Sequence, residues 1–190
     1  MRQPTLSPLL GAPAPVELMN TRWMRRGEHL DAIEHADGLR DWSVATGLVA
    51  DDAALPDVAE LREWRALRDA LRAIAAEATD DPRTPVAPMR LDEAAEILNA
   101  SLGVQREVRR FGWRDGRPAL EPAAGDCWEA ARGRIAVEAL EILTDPAHRI
   151  RPCLAPNCPL YFVQSSARQR WCSDACGNRV RVARHAAKQL

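Results

Sequence analysis

The stretch CLAPNCPLYFVQSSARQRWCSDACGNRVRVARH, Cys153 to His185, holds four of the five cysteines in the chain. They fall in two pairs, Cys153 with Cys158 and Cys172 with Cys176, separated by thirteen residues. In a reducing compartment, clustered thiols bind metal more often than they form disulfides. Two close pairs supply four thiolates, which complete a tetrahedral shell and leave no open position. The spacing therefore predicts one structural zinc ion (Zn2+) rather than a catalytic metal.

The residues between the ligands agree with that geometry. Pro156 and Asn157 suit a tight turn that brings the first two sulfurs to one metal. Leu160 to Gln164 is rich in strand formers, and Ser165 to Gln169 can turn a short hairpin. Ser173 is a good helix N-cap, which puts Cys176 in the first helical turn. Knuckle, hairpin and ligand-bearing helix make a treble-clef-like module. His148 is a conceivable substitute ligand, but it lies apart from the knuckle.

At about 100° per residue the final helix divides by face. Cys172, Cys176, Arg179 and Ala183 fall on one side, and Asn178, Arg181, Arg184, His185 and Lys188 on the other. Arg179 is placed to hydrogen-bond the thiolate site or nearby carbonyls. Arg181, Arg184 and Lys188 form an outward stripe suited to phosphates, with Asn178 and His185 in reach of base edges. Gly177 fits a close approach of helix to knuckle.

This segment resembles the CGNR zinc finger, named for the tetrapeptide at Cys176, Gly177, Asn178 and Arg179. The matches are the two cysteine pairs, Phe162, the Trp171-Cys172-Ser173 triplet and the basic residues that follow. Gln164 departs from the pattern, standing where many members carry an acid. Upstream, PVELMNTRW (Pro15 to Trp23) and HADGLRDWSVATGL resemble the ABATE-type domain that accompanies this finger, chiefly through Asn20-Thr21-Arg22 and Asp41-Trp42. The resemblance covers nearly the whole chain and implies a stress-linked bacterial transcription regulator.

Charge is distributed unevenly. The net charge is −1, but residues 146 to 190 carry eight bases against the single acid Asp174 and stand at +7, leaving residues 1 to 145 at −8. A basic tail on an acidic body suits an anionic partner. At 190 residues with 46% hydrophobic content, the chain is long enough for a sizeable core. It shows no run near the roughly 20 apolar residues that span a bilayer and no convincing signal peptide, so the expectation is a cytoplasmic protein with no membrane partner, nucleoid-associated if it binds DNA.

The body reads as helices. Asp37 can cap one through Val44, ended by Gly47. Pro56 opens a longer one with Leu61, Trp64, Leu67, Leu71, Ile74 and Ala78 on its apolar face. Asp80 to Pro88 is a loop, and a helix from about Asp92 runs through Ala100. Asp115-Gly116 suggests a hairpin turn, and a helix from about Asp126 to Leu143 presents Trp128, Ala131, Ile135, Ala139 and Ile142. There are no internal repeats.

The expected architecture is mainly α (α+β). A helical domain with one β-hairpin, residues 1–146, is followed by a hinge too short for free tumbling and a zinc module, residues 150–190. The helical domain is expected to sense a small-molecule ligand or to form a homodimer.

Asn20-Thr21-Arg22 allow two readings: a helix terminus satisfying backbone groups, or a pocket for a ligand or partner. Cys127 reads as a buried core thiol rather than a redox sensor. No metal-pair histidines, nucleophile elbow or phosphate loop appear, and the nearby Asp31, Glu34 and His35 read as solvated, so no enzyme is expected. The function expected is a zinc-containing, DNA-binding transcriptional regulator. The competing reading is a zinc-stabilised protein-interaction adaptor that binds no nucleic acid.

Overall fold

A computed structural model describes residues 7–85, 87–103, 110–114, 116–121, 127–145, 147 and 149–188. Pro146 and His148 of the predicted hinge lie outside these residues. The order is α1 (Ala14–Met19), β1 (Arg22–Arg25), β2 (Glu28–Asp31), α2 (Ala36–Ala45), α3 (Val58–Ala78), α4 (Leu91–Gly103), β3 (Arg110–Arg114), β4 (Arg117–Glu121), α5 (Cys127–Thr144), β5 (Ile150–Pro152), β6 (Tyr161–Val163) and α6 (Asp174–Ala186). The strands form three antiparallel pairs, β1 with β2, β3 with β4 and β5 with β6. The mainly helical class and the β3–β4 hairpin follow the sequence reading; the β1–β2 hairpin is an addition to it. Its turn is made by Arg26 and Gly27, both at positive φ (51° and 88°), as a two-residue hairpin turn requires.

Helix α3 is the axis of the body. Its start signal is local: Asp57 accepts a hydrogen bond from the Glu60 amide at 2.8 Å as the N-cap, so the helix begins at Val58, two residues after Pro56, where the sequence reading opens it. Trp64, Leu67, Leu71 and Ala75 are buried along one side, with Leu61 and Ile74 half-buried, whereas Ala78 at the last position is exposed. Helix α5 buries Trp128, Ala131, Ile135, Ala139 and Ile142 as its periodicity predicts. Trp64 stands edge-on between Trp42 of α2 (ring centroids 6.0 Å) and Trp128 of α5 (6.3 Å), fastening three helices through aromatic contacts.

Two details differ from the sequence expectation. Helix α2 starts after His35, which supplies no side-chain cap, and Asp37 lies within the first turn, accepting from the Gly38 amide instead. The start is fixed by packing: a Cβ at Gly38 would come within 2.2 Å of the Ala32 carbonyl oxygen, so only glycine allows the helix to meet the end of the hairpin here. Cys127 is exposed rather than buried. It opens α5 beside, not within, the stripe that starts with Trp128, and the core contact at this end is Trp128 itself, whose Nε1 donates to the Ala54 carbonyl at 3.0 Å.

The body and the C-terminal module interpenetrate. Ile150 of β5 and Tyr161 of β6 belong to the helical core, while Leu10 and Trp23 of the body pack on the cluster around Cys153, Cys158, Leu160, Phe162, Cys176 and Val180. Among the described residues no helix is long and apolar enough to cross a membrane.

Candidate metal centre and basic helix

The zinc knuckle sits at the tip of the β5–β6 hairpin. Asn157 adopts φ 58°, a conformation asparagine tolerates better than most residues, and the Cys158 amide closes the turn on the Ala155 carbonyl at 3.0 Å. The pairing of β6 is therefore with residues before the first cysteine, not with residues after Ser165 to Gln169 as the sequence suggested. That segment does turn, held by the Gln169 side chain, which accepts from the Ser165 amide at 2.8 Å and from its hydroxyl at 2.9 Å. Gln164 donates its side-chain amide to the Gln169 carbonyl at 2.8 Å, and its backbone amide bonds Arg149. The chain then bends at Trp171 to deliver Cys172 instead of forming a second strand.

Ser173 caps α6, its hydroxyl accepting from the Cys176 amide at 3.3 Å, and this places Cys176 in the first turn. The four sulfurs lie within 4.8 Å of one another, with Cys158 and Cys172 at 3.8 Å and Cys172 and Cys176 at 3.5 Å. A tetrahedron with Zn–S bonds of about 2.3 Å has edges of roughly 3.8 Å, so the donor set fits zinc. Thiols packed this closely cannot ionise independently. Hydrogen bonds from Cys158 and Cys172 hold the Cys153 thiol far below its ordinary value, and the same contacts push Cys158 and Cys172 above theirs. A divalent cation relieves the conflict by stabilising all four as thiolates. Cys153, Cys158, Cys172 and Cys176 form the site of one structural zinc.

Polar groups around the knuckle brace it from both sides. The Cys172 amide points at the Cys153 sulfur (3.5 Å). Arg179 donates Nη1 to the Pro156 carbonyl at 2.8 Å and Nη2 toward the Cys176 sulfur at 3.7 Å. From the body, Arg83 directs a single Nη1 at the carbonyls of Cys153 (3.3 Å), Cys158 (2.9 Å) and Leu160 (3.2 Å) while its other nitrogens bind Asp81. Asp81 also accepts from the Tyr161 hydroxyl at 2.6 Å. Burial alone would raise the Asp81 carboxyl, but the Arg83 and Tyr161 hydrogen bonds outweigh it and hold it below its ordinary value. Arg72 donates to the Pro159 carbonyl at 3.0 Å. Sequence reasoning missed Arg72, Asp81 and Arg83; apart from the single tyrosine in the strand, nothing local marks them.

Asn20, Thr21 and Arg22 are taken up by the protein. Asn20 caps the C-terminus of α1 and, fully buried, exchanges two hydrogen bonds with the Tyr161 backbone, donating to its carbonyl (2.9 Å) and accepting from its amide (2.8 Å). Thr21 donates its hydroxyl to the Leu18 carbonyl and receives Arg68. Arg22 pairs with Asp69 at 2.9 Å. These groups join a network around Arg68, which is wholly buried and also bonds Asp31 at 2.6 Å and Asp69 at 3.0 Å. Of the acid and histidine group near it, Asp31 is therefore committed to Arg68, while Glu34 and His35 are exposed.

On α6 the buried residues are Cys176, Gly177 and Val180. Asn178, Arg181, Arg184, His185 and Lys188 are exposed, and so are Arg179 and Ala183. Asn178 accepts a hydrogen bond from Arg181. The neighbour of Gly177 is the Trp171 ring rather than the knuckle backbone, and an added Cβ would meet it at 3.4 Å, an ordinary contact.

A helical body and a docked knuckle-and-helix module with four converging thiols define a zinc-finger protein. Comparison with family models agrees: the ABATE model, described as "Putative stress-induced transcription regulator", matches residues 12–146, and the CGNR zinc finger model matches residues 149–189. The chain belongs to the ABATE family and carries a CGNR zinc finger. No curated protein matches it.

Proposed function

We propose that the protein is a DNA-binding transcriptional regulator in which zinc is structural and α6 supplies the nucleic-acid contacts. The observation that carries this reading is the orientation of α6. Its inner face is spent on the metal site, while Arg181, Arg184 and Lys188 are exposed and make no ion pair among the described residues. Asn178, Val182 and His185 recur at four- and three-residue steps on the outermost ridge, where Val182 stays 69% exposed. The amide and the imidazole suit base edges, the apolar branch suits thymine methyls, and the basic flank suits phosphates.

The contact with the acidic body also favours DNA over an intramolecular clamp. The module docks through the knuckle and β6, which leaves the basic stripe available. A homodimer would present two such helices to paired half-sites, since one 13-residue helix offers few base contacts. The body would carry the effector site.

The test is a fluorescence-anisotropy titration of the zinc-loaded chain on duplex DNA across a salt series. Binding should weaken steeply with salt. Arg181→Ala and Arg184→Ala should each weaken it and lower the logarithmic salt slope by about 1, with zinc content unchanged. Equal affinity of parent and both variants at moderate salt sinks the assignment of α6 as the contact surface.

A further inference from the structure

A cleft of about 630 Å³ opens between the C-terminal half of α3, the loop leading to α4 and the zinc knuckle. That size and a position between two packed parts of a protein are typical of small-molecule sites. Much of the wall is apolar, with Met24, Ala73, Ala76, Pro88, Met89 and Leu154 facing the space. Two large aliphatic side chains that line it remain exposed, Leu91 (45%) from the body and Leu154 (56%) from the knuckle. Both sides of the cleft thus carry apolar surface not yet covered.

The charged groups divide into two sets. Arg72 and Arg83 are engaged by carbonyls and by Asp81, and both guanidinium groups stack on the Tyr161 ring, at 5.2 and 4.7 Å from its centroid. Asp69 and Asp81 are the partners of arginines. Glu77 and Asp80 also line the cleft, yet neither makes an ion pair or side-chain hydrogen bond among the described residues. They stand at the C-terminal end of α3, where the helix dipole adds negative potential. The charge left for a ligand is therefore negative.

We propose that this cleft is an effector site for an apolar organic cation, whose hydrophobic body packs on Met24, Met89 and Leu154 and whose positive charge meets Glu77 and Asp80. The inference rests on the effector part of the reading above and is independent of DNA binding. An occupant touches the body and the knuckle at once, beside the Arg83, Asp81 and Tyr161 contacts that join them.

Isothermal titration of the zinc-loaded chain with tetraphenylphosphonium, in the absence of DNA, tests it. One saturable site per chain is expected, with the neutral triphenylphosphine oxide binding at least about tenfold more weakly. The exposed double substitution Glu77→Gln with Asp80→Asn should reduce cation affinity about tenfold, and Leu154→Ser should weaken both probes, where tenfold corresponds to ~1.4 kcal/mol. No saturable binding at millimolar probe, equal affinity for the neutral compound, or an unchanged affinity in the double variant overturns the proposal. Any of these outcomes beside intact salt-dependent DNA binding refutes the cleft alone. Cation binding without DNA binding refutes the regulator reading alone.

Discussion

Tyr161 carries three roles in one residue. Its backbone pairs with Asn20, its ring is in contact with the guanidinium groups of Arg72 and Arg83, and its hydroxyl donates to Asp81. Burial, and then the bond to the Asp81 carboxylate, push its phenol up to about 12. Because the folded value lies above the ordinary value of about 10, the stabilisation is complete below the ordinary value and is lost as pH rises through the folded one. Tyr161 is the only tyrosine, so tyrosinate absorbance reads it directly. The native zinc-loaded chain should titrate nearly two pH units above the chain unfolded in guanidinium; coincident curves would show that the hydroxyl is not held as described. Gly38 makes a sharper demand on space. Gly38→Ala should cost about 1–3 kcal/mol in denaturant unfolding, because its Cβ cannot share space with the Ala32 carbonyl. An unchanged midpoint would mean that the start of α2 shifts freely.

At the scale of the element, Ser173 and the 13 residues of α6 combine a cap, a metal ligand and a basic surface. Ser173→Ala removes the acceptor for the Cys176 amide and should cost about 1 kcal/mol, which is expected to appear as weaker zinc retention against a competing chelator. Gly177→Ala should behave in the opposite way. The φ at Gly177 is not positive, the new methyl group meets Trp171 at ordinary distance, and alanine is the better helix former by roughly 1 kcal/mol. Melting of Gly177→Ala at or above the parent temperature is expected; a clear drop would reveal a crowding that the Trp171 contact does not show. The helix also illustrates how far periodicity reaches. The 100° projection separated the ligand side from the stripe, but it placed Ala183 with the ligands, and that residue is exposed because the module is too short to cover the second half of α6.

At the scale of the whole molecule, body and finger each contribute side chains to the other's core. Ile150 and Tyr161 lie in the helical core, and Arg83 of the body holds the carbonyls of two ligand residues. Zinc removal, or Cys172→Ala, should therefore lower the melting temperature of the entire chain in calorimetry, by about 2–4 °C for each ~1 kcal/mol lost at this chain length. A body transition unmoved by chelation would show two independent units.

What the amino-acid order determined by itself was confined to what one turn or one helix face can express. Two cysteine pairs announced the metal, Ser173 announced the cap, and the spacing of Trp64, Leu67 and Leu71 or of Trp128, Ile135 and Ile142 announced the buried faces. These signals repeat within a few residues, as the geometry of a helix or a chelate ring requires. Other features lie far apart along the chain. Asn20 meets Tyr161 across 141 positions, Arg83 meets Cys158 across 75, and Arg68 meets Asp31 across 37. Buried polar groups must find partners, but nothing local says which, so Asn20-Thr21-Arg22 allowed both a helix end and a pocket. Strand pairing needed the turn to be seen: the Cys158 amide closes on the Ala155 carbonyl and the Cys153 amide on Leu160, so β6 takes its partner from before the knuckle rather than from beyond Gln169.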